Sequence, residues 1–132
     1  MSAITGNTVV VLEQNAILRL GVEALLESWG CRVIAGDCVD DIIAIIRDEG
    51  LRPTLLLLPP TDGLDIGDRL GDRLGDRFEA EMGHPLPWIG ITADPNLLQR
   101  WKAGASGGIL LEMPCSPDML RTAMLEALRK TP

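Results

Sequence analysis

A chain of 132 residues with a formal net charge of −7 fits one domain, able to bury roughly 65–70% of the surface its unfolded form exposes. Neither a disulfide nor a metal is needed to fold it, and the acidic balance argues against a nucleic-acid partner, because Lys and Arg contacts to phosphate supply most non-specific DNA affinity. Cys31, Cys38 and Cys115 are odd in number, lack CxxC spacing and stand in apolar surroundings, which reads as reduced packing residues in a cytoplasmic protein. Residues 1–7 carry no basic-then-apolar leader, and no run of 18 apolar residues suggests a membrane span.

Thr8 to Leu12 is a short β-branched run that hands over, through Glu13-Gln14-Asn15, to a helix. From Ala16 the apolar residues Ile17, Leu18, Val22, Leu25, Leu26 and Trp29 recur at helical spacing, and Gly30 ends the pattern as a C-terminal glycine does. Cys31 to Ala35 gives a second strand. Asp40 or Asp41 is placed to cap a helix carrying Ile42, Ile43, Ile45 and Ile46 as far as Gly50.

Thr54 to Leu58 is the third strand, and the run Leu55 to Leu58 has no polar alternation, as expected of a strand buried on both faces at the centre of a parallel sheet. Pro59, Pro60 and the Asp62-Gly63 turn are read as stopping it at once. In an open α/β sheet the functional crevice lies beyond the carboxyl ends of the central strands. Pro59, which has no side-chain chemistry, stands there.

A four-residue repeat follows, with Gly67, Gly71 and Gly75 each leading an Asp-Arg pair and then Leu70, Leu74 or Phe78. On a helix this period stacks Leu70, Leu74 and Phe78 in one stripe and the glycines in another, at a cost of roughly 0.8–1 kcal/mol per interior glycine against alanine. Two readings stand: a glycine row that admits another helix closely, and a tolerated expansion on a solvated helix. His84, the single histidine, lies in a His-Pro-Leu-Pro loop and reads as a surface residue.

Trp88 to Thr92 is a fourth strand, Asp94-Pro95 starts a helix running to Gly104, Gly108 to Leu111 is a fifth strand, and Ser116-Pro117-Asp118 starts a last helix. Met119, Leu120, Ala123, Met124 and Leu128 are predicted on its buried side. Five strands alternating with five helices predict an α/β chain: a (βα)5, doubly wound, five-stranded parallel sheet of flavodoxin-like type.

The pattern resembles the receiver domains of response regulators in two-component signalling. The likeness covers Thr8 to about Lys130 of a single domain over residues 1–132. It rests on Val-Val-Val-Leu-Glu13, on Glu27-Ser-Trp-Gly-Cys-Arg-Val33, on Pro53 before the central strand, and on Ile91-Thr92-Ala93. Ala103-Gly-Ala-Ser-Gly107 and Pro114-Cys-Ser-Pro117 complete it. The resemblance implies a strand order 2-1-3-4-5. It also implies five positions for phosphoryl chemistry: a nucleophilic Asp ending the central strand, two acids after the first strand for Mg²⁺, a hydroxyl after the fourth strand and a Lys after the fifth.

Carried over one by one, these positions are mostly dismantled. The phosphoacceptor falls on Pro59. The acid pair falls on Glu13 and Gln14, so one acid is kept and the second is a neutral amide. The hydroxyl is kept as Thr92. The lysine falls on Met113, with Glu112 as the other candidate across an irregularity at Gly107-Gly108; neither is a cation. The aromatic switch position falls on Ile109 or Leu110, in a chain without Tyr, and the loop after Pro59 is about four residues short. Each kept residue also has a plain structural use: Glu13 as a carboxylate near a helix N-terminus, worth about 0.3–1 kcal/mol, and Thr92 as a strand-end hydroxyl.

The reading that follows is a degenerate receiver, not an enzyme, that acts as a phosphorylation-independent protein-interaction module. The resemblance implies as partners a histidine kinase, a phosphotransfer protein or another receiver, met through the fourth and fifth helices and the fifth strand, with a homodimer left open. No cofactor is expected, and no metal beyond what Glu13 alone can hold. Two alternatives remain: a relay receiver with Asp62 as displaced phosphoacceptor, and a small-ligand domain using the crevice between the first and third strands. The second lacks a glycine-rich phosphate loop, since Glu13-Gln14-Asn15 is short and acidic.

Overall fold

The computed structural model describes residues 4–61, 77–84, 86–92, 108–112 and 116–129. Five strands, β1 (Thr8–Leu12), β2 (Arg32–Gly36), β3 (Leu55–Thr61), β4 (Trp88–Thr92) and β5 (Gly108–Glu112), form one sheet in the order β2-β1-β3-β4-β5. Every neighbouring pair is parallel. Helices α1 (Ala16–Ser28) and α2 (Val39–Glu49), a helical stretch at 77–82 and a C-terminal helix (Pro117–Arg129) accompany it. The helix predicted from Asp94 to Gly104, and residues 67–76 of the repeat, lie outside the described residues.

Strand side chains alternate between two cores, as the two-residue period requires. On one side Val10, Leu12, Ile34, Leu56 and Trp88 pack with Ile42, Ile43 and Ile46 of α2 and with Phe78. On the other, Val9, Val11, Leu55, Leu57 and Ile89 pack with Leu26 of α1 and with Leu120, Ala123, Met124 and Ala127 of the C-terminal helix. Both faces of the sheet are therefore covered. Leu55, Leu56 and Ile89 are fully buried, each worth about 1.5–3 kcal/mol relative to exposure; the apolar run at β3 is what makes that strand central.

The turn from α1 into β2 closes as the sequence predicts. Gly30 sits at φ +85°; its N–H donates to Glu27 O at 3.0 Å, and the Cys31 N–H donates to Leu26 O at 3.1 Å. That pair of bonds is a Schellman C-terminus, which needs a left-handed residue.

Several expectations are corrected. The two prolines do not end the central strand: β3 runs on to Thr61, because its ladder with β1 closes at Val11↔Leu57 and its ladder with β4 resumes at Pro60↔Ile91 after a register shift. A proline removes a donor, and at an irregularity no donor is required. β2 starts and ends one residue later than predicted. The N-cap of α2 is Cys38, whose side chain makes no capping bond, while Asp40 and Asp41 stand in the first turn, where negative charge meets the positive end of the helix dipole. Cys38 is exposed, unlike the buried Cys31, so the packing role predicted for all three cysteines fails for Cys38. Met119, predicted on the buried side of the last helix, is exposed, and so are Ile17 and Leu18 of the α1 apolar pattern.

Candidate functional site

A parallel sheet gathers the carboxyl ends of its strands at one edge, and this edge holds the residues singled out by the sequence. β1 ends at Leu12, level with Gly36 at the end of β2. Thr61, Thr92 and Glu112 end β3, β4 and β5 on one level, paired Thr61↔Thr92 and Thr92↔Glu112. Glu13 and Gln14 follow β1 directly.

Glu13 is half-buried and bonded both to its own loop and to the end of β2. Its N–H donates to Gly36 O at 3.0 Å. One carboxylate oxygen accepts the Asn15 N–H at 3.0 Å, and its carbonyl accepts from an Arg19 guanidinium nitrogen at 2.8 Å. Asn15 then caps α1, its side-chain oxygen accepting the N–H groups of Ile17 and Leu18, both at 3.0 Å. Gln14 is exposed between them. One oxygen of the single acid in this segment thus helps to set the start of a helix. Asn15 and Arg19 were missed in the sequence, although an Asn directly before the first helical residue is a recognised capping signal.

At β3 the register shift changes which residue stands level with the site. Leu57 pairs with Ile89, so an unbroken ladder would set residue 59 opposite Ile91; the shift sets Pro60 there instead. Counted along β3 from Leu57 the residue opposite Ile91 would be Pro59, and by the observed pairing it is Pro60. Both are prolines. Asp62, directly after the last β3 residue, and Met113, directly after Glu112, lie outside the described residues.

Among the described residues no group of three or more His, Cys, Asp or Glu side chains is placed to hold a metal ion. His84 is exposed and lines, with Asn7, Thr54, Leu86, Leu125 and Leu128, a groove at the opposite edge of the sheet. No helix among the described residues is long and apolar enough to cross a membrane.

The fold matches solved receiver structures. A response regulator receiver protein from Burkholderia phymatum superposes with a TM-score of 0.67 at 21% identity, covering 93% of this chain and 95% of that one. The chain has the receiver fold of response regulators. The Erythrobacter litoralis PhyR receiver domain gives a TM-score of 0.67 at 20% identity over 99% of this chain and 98% of the other. Vibrio cholerae chemotaxis protein CheY4 gives 0.64 at 18% identity over 92% and 98%. No protein-family model and no curated protein matches the chain. With identities this low, the receiver likeness is a likeness of fold, and its chemistry has to be read from the residues at the edge of the sheet.

Proposed function

We propose that this chain is a degenerate receiver that works as a phosphorylation-independent protein-interaction module in two-component signalling, and not as an enzyme. The carrying observation is the pair of prolines in β3: Pro59, onto which the resemblance carries the phosphoacceptor, and Pro60, which the register shift sets opposite Ile91, both lack a carboxylate, and an acyl phosphate requires one.

The neighbouring groups support the same reading. A Mg²⁺ ion favours carboxylate and other oxygen ligands in octahedral geometry. Glu13 offers one carboxylate already bonded to the Asn15 N–H, and Gln14 is neutral. This donor set fits Mg²⁺ poorly. Met113 brings no cation to a phosphoryl group, and Thr92 is left as a strand-end hydroxyl with nothing to sense. The partner class is a histidine kinase, a phosphotransfer protein or another receiver, in the cytoplasm, recognised through a shape that phosphorylation does not switch.

One observation favours a second reading. Because β3 is described as far as Thr61, Asp62 is the next residue in sequence and carries the right chemistry for relay, though without the usual metal acid or lysine.

Immobilised chain treated with acetyl phosphate and Mg²⁺ or with buffer, then washed and incubated with untreated extract of its own cells, separates the two readings. The module reading predicts the same bound proteins and unchanged affinity in both arms. Binding that depends on acetyl phosphate, or no specific partner in either arm, contradicts it.

A further inference from the structure

We draw no further inference here: the strongest candidate, the groove at the amino edge of the sheet between the loop at His84 and the C-terminal helix, has its Asn7 and Thr54 side chains bonded to each other, and nothing in the structure shows what covers it.

Discussion

The same chemical change, glycine to alanine, should move stability in opposite directions at two positions nine residues apart. Gly21 lies inside α1 on the open face. Alanine there keeps the helical conformation, meets nothing, and gains about 0.8–1 kcal/mol from the better helix propensity. Gly30 sits at φ +85°, and a Cβ built on it comes 2.8 Å from Thr5 Cγ2 and 3.2 Å from Thr5 Oγ1. Alanine must then accept a left-handed conformation, costing about 1–2 kcal/mol, and push aside a residue whose hydroxyl donates to Trp29 O at 3.0 Å. The restricted unfolded chain returns about 0.4–1 kcal/mol. Gly30→Ala therefore loses about 0–1.6 kcal/mol from the backbone alone, and the displacement of Thr5 adds to that loss. For a domain of this size each kcal/mol moves Tm by about 3–5 °C, so thermal unfolding by far-ultraviolet circular dichroism, at concentrations where the chain is monomeric, should separate the two variants clearly. A stabilised Gly30→Ala, or a Gly21→Ala that loses stability, would refute the account of α1 and of its Schellman turn.

Three further outcomes follow from the packing and the titrating groups. Phe78 is fully buried against α2 and the sheet, so Phe78→Ala should cost about 3–5 kcal/mol in denaturant unfolding; a loss below about 1 kcal/mol would mean that the 77–82 stretch is not docked there. Burial raises the Cys31 thiol above its ordinary pKa and its Sγ faces Ile4 O at 3.6 Å, whereas Cys38 is exposed. Peptide-mapped labelling with a thiol reagent should modify Cys38 at once and Cys31 only on unfolding, and equal rates would contradict the assigned burial. Arg47 donates to Glu81 at 2.7 Å, and this hydrogen bond holds the Glu81 carboxyl below its usual range. A lowered folded pKa adds stability above the ordinary Glu value of about 4.3 and loses it as pH falls through the folded value. Glu81→Gln should therefore lower stability slightly at neutral pH and not at all in strong acid; a deficit that persists at low pH would assign the effect to packing.

Much of the fold is legible in the residue pattern because the pattern and the burial share one cause. The β-branched run at Val9–Val11 and the unbroken leucines at 55–57 are apolar on both sides because helices cover both faces of the sheet, and left-handed Gly30 is required wherever a helix must turn into a strand this tightly. What misleads is equally physical. Periodicity reports that Ile17 and Leu18 lie at helical spacing with Val22 and Leu26, but a helix this apolar has two apolar faces, and spacing does not say which one meets the sheet. Asp40 and Asp41 look like caps because acids favour helix N-termini both at the cap and in the first turn. Proline was read as a stop at β3 because it cannot donate, and a strand that has already left its β1 ladder has no need of that donor. At the candidate site the residue identities at Glu13, Gln14, Pro59 and Thr92 were readable, whereas the capture of the Glu13 carboxylate by Asn15 and the register shift that brings Pro60 level with Ile91 depend on backbone geometry.

Intact mass after incubation with acetyl phosphate and Mg²⁺, beside an active receiver as control, tests the central claim most directly. The account predicts an unchanged mass while the control gains one phosphoryl group, about 80 Da. A gain of the same size on this chain, abolished in Asp62→Asn, would contradict it and make Asp62 the phosphoacceptor of a working relay.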